Sequence, residues 1–258
     1  MSTEKPPQQT GGNALKKPAT KRNPYRLPET VVPTNYHLTL KPNFNTFTFS
    51  GTNTADVVIK EPVRSITLHA LELEIKDVTL FHYGIGGSGI IKPTKISYDE
   101  KMQTVTFDFD KEIPTGGATL QMIFTGKLNN KLCGFYRTSY KVGDKKRWGG
   151  TTQHEATDAR RAFPCWDEPD KKVRFHTALV VPKHMTALSN MPEAVTIMPT
   201  GDDYRKIVFF KPTPPMSTYL AAFVVADLEY VEATDRNGVL IRVYTTPGKK
   251  EHGKFALD

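Results

Sequence analysis

From Pro28 onward the chain alternates between apolar and polar positions. Tyr36, Leu38 and Leu40 share one parity, with His37, Thr39 and Lys41 between them, which is the period-two pattern of a half-buried strand. Phe47 and Phe49 extend it, Gly51 is expected to mark a bulge or bend, and Ala55, Val57 and Ile59 resume it. Further strands are expected over 66–69, 73–83, 90–98, 104–109 and 119–128, each bounded by Pro, Gly, Asn or Asp. After an interruption, Val173, Phe175, Thr177, Leu179 and Val181 again share a face, and strands are expected over 204–211, 219–228 and 239–244. Leu220 to Ala226 is apolar on both parities, as in a central strand covered on both sides. No long helical period separates these segments. The pattern therefore predicts an all-β fold, an antiparallel sandwich or saddle of about a dozen strands.

The interruption is Thr151 to Pro169, T-T-Q-H-E-A-T-D-A-R-R-A-F-P-C-W-D-E-P, and it concentrates more chemistry than any other stretch. Glu155, Ala156, Asp158, Ala159, Arg161 and Ala162 suit one short helical turn, which Pro164 must end because proline lacks an N–H and restricts the residue before it. Asp158 is expected to cap this turn or to pair with Arg160 or Arg161. His154-Glu155-Ala156-Thr157-Asp158 approaches the zinc-protease pattern H-E-x-x-H, but Asp158 replaces the second imidazole. No third ligand follows at an obvious spacing, so no metal site is expected in this chain. Gly84 to Gly89 matches G-x-G-x-x-G but leads into extended sequence rather than a helix, and so reads as a hairpin loop, not a dinucleotide site. His69 and His82 are lone histidines on strands and read as structural.

The same motif, with G-F-Y-R at Gly134 to Arg137 and M-S-T-Y-L-A-A-F-V-V at Met216 to Val225, resembles the amino-terminal domain of zinc aminopeptidases of the aminopeptidase N type. The resemblance runs from about residue 25 to the end of the sequence. It implies that Glu155 binds the free α-amino group of a peptide and that Gln153 beside it lines the first specificity pocket. Asp158, Arg160, Arg161, Pro164 and Trp166 are then the structural part of the motif, and no catalytic residue is expected here. His154 stands where such relatives usually carry Phe. The zinc, its H-E-x-x-H ligands, the exopeptidase motif and the catalytic tyrosine belong, by the same resemblance, to a catalytic domain that follows. None of those motifs occurs in this sequence, so the chain by itself is expected to be inactive.

Composition narrows the surroundings. The net charge is +8 over 258 residues, and residues 1–27 carry six Lys and Arg against one Glu, so most of the excess sits in a Pro-, Gln- and Gly-rich tail. That distribution argues against a nucleic-acid partner, which would require basic residues on a folded face. The expected division is a disordered basic tail over 1–24, a β domain over 25–247, and over 248–258 the start of a helix or linker into the absent catalytic domain. The chain is accordingly read as a truncated product. No apolar run approaches the roughly 20 residues of a membrane span and no secretory signal opens the sequence. With two cysteines forming no framework, the expected location is the cytoplasm, with a nuclear fraction as the alternative suggested by Lys16-Lys17 and Lys21-Arg22. The expected partners are peptide N-termini and the catalytic domain. The competing reading is a non-catalytic short form that acts as a protein-binding or regulatory module.

Overall fold

The alternating segments become strands in the computed structural model, which describes residues 23, 25–84, 87–201 and 204–257. In chain order these are β1 (Val31–Asn43), β2 (Thr48–Ile59), β3 (Val63–His69), β4 (Leu73–Gly84), β5 (Gly87–Ile91), β6 (Lys95–Asp99), β7 (Thr104–Ile113), β8 (Gly116–Lys127) and β9 (Gly134–Val142). After them come β10 (Lys145–Gln153), β11 (Lys172–Pro182), β12 (Thr186–Ser189), β13 (Glu193–Ile197), β14 (Arg205–Phe210), β15 (Met216–Ser217), β16 (Phe223–Ala226), β17 (Glu229–Thr234) and β18 (Leu240–Thr245). The basic tail predicted over 1–24 lies outside the described residues apart from Asn23.

The fold is all-β. Its main sheet has the order β13-β14-β11-β1-β2-β8-β4-β5, with β15 alongside β11. Smaller sheets follow the orders β12-β16-β10-β9, β3-β7-β6 and β17-β18. The strands therefore exceed the predicted dozen. One central pair, β1 with β11, is parallel rather than antiparallel, with Tyr36 beside Phe175. The expected single strand over 90–98 is two strands in two sheets, because Pro93 has no N–H to continue a ladder between β5 and β6. The strand expected over 219–228 is confined to β16, since residues 218–220 form a 3₁₀ turn and Leu220 is exposed. β16 is nevertheless central in its sheet, as its apolar character required.

The inward parity of β1, β2 and β8 builds the core, with Tyr36, Leu38, Leu40, Phe49, Ala55, Leu120, Met122 and Phe124 all buried. Gly51 forms no bulge, because the β1–β2 register runs unbroken through its pairing with Leu40. A Cβ there would meet the Phe124 ring at 2.5 Å and Leu40 at 2.8 Å, so glycine is required for close packing between strands. Gly51→Ala is expected to cost about 1–3 kcal/mol through overpacking, read as a lower urea midpoint with an unchanged m value. An unchanged midpoint would mean that the rings give way freely.

Phe49 packs on Phe135 of β9 at 5.4 Å, and Phe135 meets Phe223 of β16 at 6.4 Å, which joins the main sheet to the four-stranded one. Near the end of the chain, 3₁₀ turns over Lys250–Ala256 pack on β17 and β18. Their contact is made by buried Gly253 against Val231 and Val243, whereas Phe255 is 92% exposed.

Candidate functional site

Residues 154–171 form the hub that the sheets share. Tyr36 of β1 accepts a hydrogen bond from the Trp166 N–H at 2.9 Å, and Asn53 of β2 donates to the Pro164 carbonyl at 2.9 Å. His69 of β3 bridges to Cys165 through both backbone groups, and the Leu71 N–H donates to the Arg160 carbonyl. From the other side, Thr218 Oγ1 donates to the Trp166 carbonyl and Ser217 Oγ to that of Pro169. Trp166, Phe163 and Cys165 are fully buried. Burial and the nearby Asp167 charge raise the Cys165 thiol well above its ordinary pKa, which makes it an inert core residue rather than a nucleophile.

Arg160 and Asp167 pair inside this hub, with Arg160 Nε donating to Asp167 Oδ2 at 3.0 Å and the Arg160 backbone N–H to the same oxygen at 3.3 Å. A second guanidinium nitrogen donates to Gln103 Oε1 at 3.0 Å. Burial still raises the Asp167 carboxyl above the ordinary carboxylate range, and the Arg160 contacts offset only part of that shift. The Asp167 N–H donates to Nδ1 of His69, so that nitrogen carries no proton. Burial first, and then the Arg160 charge, hold His69 down to about 3 and therefore neutral, consistent with the structural role expected for it.

The exposed edge of the hub carries the predicted binding residues. Gln153 ends β10 opposite Gly134 of β9, whose φ of +66° and absent Cβ leave room for Arg161 above it. His154 then turns inward and is 2% exposed, with Phe163 and Phe223 edge-on at 6.1 and 6.0 Å. The chain reverses over 155–158, where the Asp158 N–H donates to the His154 carbonyl at 2.8 Å and the Glu155–Ala156 peptide is cis. Gln153, Glu155, Ala156 and Thr157 are all exposed. The helix expected over 155–162 is thus a turn followed by a 3₁₀ turn over Ala159–Arg161. Asp158 stands at its N-cap position without a side-chain cap bond and instead accepts from Arg161 Nε at 2.7 Å. Arg161 reaches Glu72 at 2.9 Å, so the turn is tied to the loop before β4. Among the described residues the Glu155 carboxylate has no hydrogen-bond or ion-pair partner; only its backbone carbonyl accepts, at 3.4 Å from Gln153 Nε2.

The donor set does not suit zinc. The His154 ring lies among aromatic side chains and the Asp158 carboxylate is engaged by Arg161, so the two do not converge on a common point. Among the described residues no group of three or more His, Cys, Asp or Glu side chains is placed to hold a metal ion.

His154 has a measurable consequence. Burial lowers its pKa to about 4, with the Ala221 backbone offsetting a small part. The native state holds this ring neutral while the unfolded chain protonates it near pH 6.5, so the unfolded state binds more protons below that pH. Stability is therefore lost as pH falls from about 6.5 towards about 4. His154→Phe should keep the edge-on ring contacts and remove up to about 3 kcal/mol of that loss. Chemical denaturation at pH 7 and pH 4.5 reads the difference, and equal pH slopes in the two proteins would contradict it.

Sequence reasoning found the exposed residues and missed their supports. Tyr36, Asn53 and His69 on distant strands, and Glu72 in the loop before β4, hold the hub. For Asn53 a signal existed, because it occupies the same parity as Phe49, Ala55 and Val57, where an apolar residue belongs. Asn53 is fully buried, and its amide fixes the Pro164 carbonyl.

The sequence matches a known family. Residues 32–220 match the profile of the Peptidase M1 N-terminal domain. The chain belongs to this family. It is 44% identical over 233 residues to aminopeptidase 2 of Candida albicans, covering 90% of this chain and 24% of that protein. Puromycin-sensitive aminopeptidase of Caenorhabditis elegans is 43% identical over 234 residues, with 90% and 24% covered. Aminopeptidase M1-B of Oryza sativa is 39% identical over 241 residues, with 92% and 26% covered. The chain thus spans about a quarter of the length of the curated relatives it matches. Among the described residues no helix of this M1 domain is long and apolar enough to cross a membrane.

Proposed function

We propose that this M1 domain receives the amino terminus of a peptide, with Glu155 accepting hydrogen bonds from the substrate ammonium and Gln153 lining the pocket for the first side chain. The observation that carries the reading is the state of Glu155, an exposed carboxylate without a partner among the described residues, on a turn fixed from both sides. Buried His154 anchors one side of that turn and the Asp158–Arg161–Glu72 contacts anchor the other. A fixed carboxylate binds an ammonium without first breaking another ion pair or ordering its own backbone.

Exposure sets the condition for this role. A charge pair open to water contributes little, and the same pair gains strength when water is excluded. Gln153 and Glu155 are exposed in this chain, so the wall that closes over them must come from a catalytic domain. The zinc implied by the family resemblance would be held there too, since His154 and Asp158 do not converge. In this reading residues 25–247 form the binding unit, 1–24 a basic tail, and 248–258 the approach to the catalytic domain. The protein acts in the cytoplasm on peptides with free amino termini. The experiment is Glu155→Gln in a protein that joins this domain to its catalytic domain. Retained kcat/KM on free-amino substrates would overturn the assignment.

A further inference from the structure

A second site lies away from Glu155, where the β9–β10 hairpin meets the loops after β1 and β11. Lys146, Arg147, His184, Arg205, Phe44 and Trp148 contribute to the wall of a cavity of about 380 Å³, and among the described residues no carboxylate lines it. That volume falls within the range of small-molecule pockets.

The hairpin has an unusual charge arrangement. Lys141 stands directly opposite Lys146 in the β9–β10 register, and Lys145 and Arg147 flank it. Like charges facing each other across a strand pair are unfavourable. Asp144 is the single acidic residue between 141 and 147, and among the described residues none of Lys141, Lys145 and Arg147 has an ion-pair partner. His184 has a carboxylate beside it, Asp227 at 3.6 Å. Trp148 provides a planar surface within this positive field, braced edge-on by Phe47 at 4.8 Å and covered by Lys146 Nζ at 4.3 Å from the ring centroid. Cations that repel one another around an aromatic wall are relieved by an anion of several charges, and phosphate oxygens accept from lysine and arginine donors at once.

We infer that this cavity binds a phosphate-rich small anion, with the phosphates on Lys146 and Arg147 and any planar part of the ligand against Trp148. The site is independent of the amino-terminus reading, because it shares no residue with the 153–161 segment.

The two tryptophans make the test direct. Trp148 lines the cavity and Trp166 is fully buried in the hub, so a ligand-induced fluorescence change reports on Trp148 and should vanish in Trp148→Phe. The 258-residue chain is titrated at low ionic strength with inorganic tripolyphosphate, a nucleoside triphosphate and hexaglutamate. Saturable binding of tripolyphosphate is expected, weakened at least about tenfold by the Lys146→Gln, Arg147→Gln double variant and unchanged by Lys101→Gln in the β6–β7 turn. Tighter binding of the nucleoside triphosphate identifies a nucleotide as the ligand, and equal binding identifies the bare polyphosphate. Hexaglutamate binding as tightly as tripolyphosphate, a double variant that binds as well as the parent, or no saturable signal at millimolar ligand would overturn the inference.

Discussion

Asp167→Asn is expected to destabilise the domain by about 3–5 kcal/mol, although the side chain lies inside the chain's hub and touches no substrate. The substitution keeps the shape and removes the charge, which leaves the Arg160 guanidinium, 9% exposed, with only neutral oxygens from Gln103 and the residue 167 backbone. A buried cation without its counter-charge loses the attraction and retains the cost of leaving water. The loss should appear as a lower urea midpoint, and it should be largely recovered in an Arg160→Met, Asp167→Leu double variant, where neither charge is buried. The raised Asp167 pKa works against this loss, since burial already disfavours the carboxylate, so the cost comes from the Arg160 cation left unpaired. If the single variant lost less than about 1 kcal/mol, water would have to reach Arg160 and the hub would be looser than its burial indicates.

Glu155→Gln should have the largest effect on activity and almost none on stability. The exposed side chain makes no contact that the fold uses, so its denaturation midpoint should match the parent. In the protein with its catalytic domain, the variant loses a charge-assisted hydrogen bond of roughly 1.5–3 kcal/mol, and kcat/KM on free-amino peptides should fall about 10- to 150-fold. Asp158→Asn should behave in the opposite way, weakening the Arg161 contact and costing about 1 kcal/mol or less of stability at this partly exposed pair. A parallel fall in activity and midpoint for Glu155→Gln would place Glu155 among the structural residues of the motif.

The legibility of this fold in its sequence followed the one-sidedness of each strand. β1, β2, β8 and β11 present one apolar parity, and each emerged where alternation placed it. β9 and β10 did not, because Lys145-Lys146-Arg147-Trp148-Gly149-Gly150 has no apolar parity, and the pairing partner of the hairpin is visible only in the folded chain. Residues 219–222 misled in the other direction, since an apolar run is equally compatible with a 3₁₀ turn that buries Thr218 and exposes Leu220. At the candidate site, the motif pointed to Gln153 and Glu155, both exposed, and to the Asp158–Arg161 pair, which the fold forms. Its supports were hidden by distance along the chain, because Tyr36, Asn53 and His69 act on residues 98 to 130 positions away. Local periodicity carries no record of such contacts. His154 illustrates the remaining difficulty, for an imidazole next to a glutamate suggests a metal ligand until its ring is found between Phe163 and Phe223.

The central claim, that Glu155 recognises the substrate ammonium, is tested most directly by coupling the residue to the group it binds. In the protein with its catalytic domain, the inhibition constants of a peptide with a free amino terminus and of its N-acetylated form are measured for the parent and for Glu155→Gln. The account predicts a preference for the free amine in the parent that shrinks by about 10- to 150-fold in the variant, with the acetylated peptide binding both proteins equally. An undiminished preference for the free amine in Glu155→Gln would contradict it.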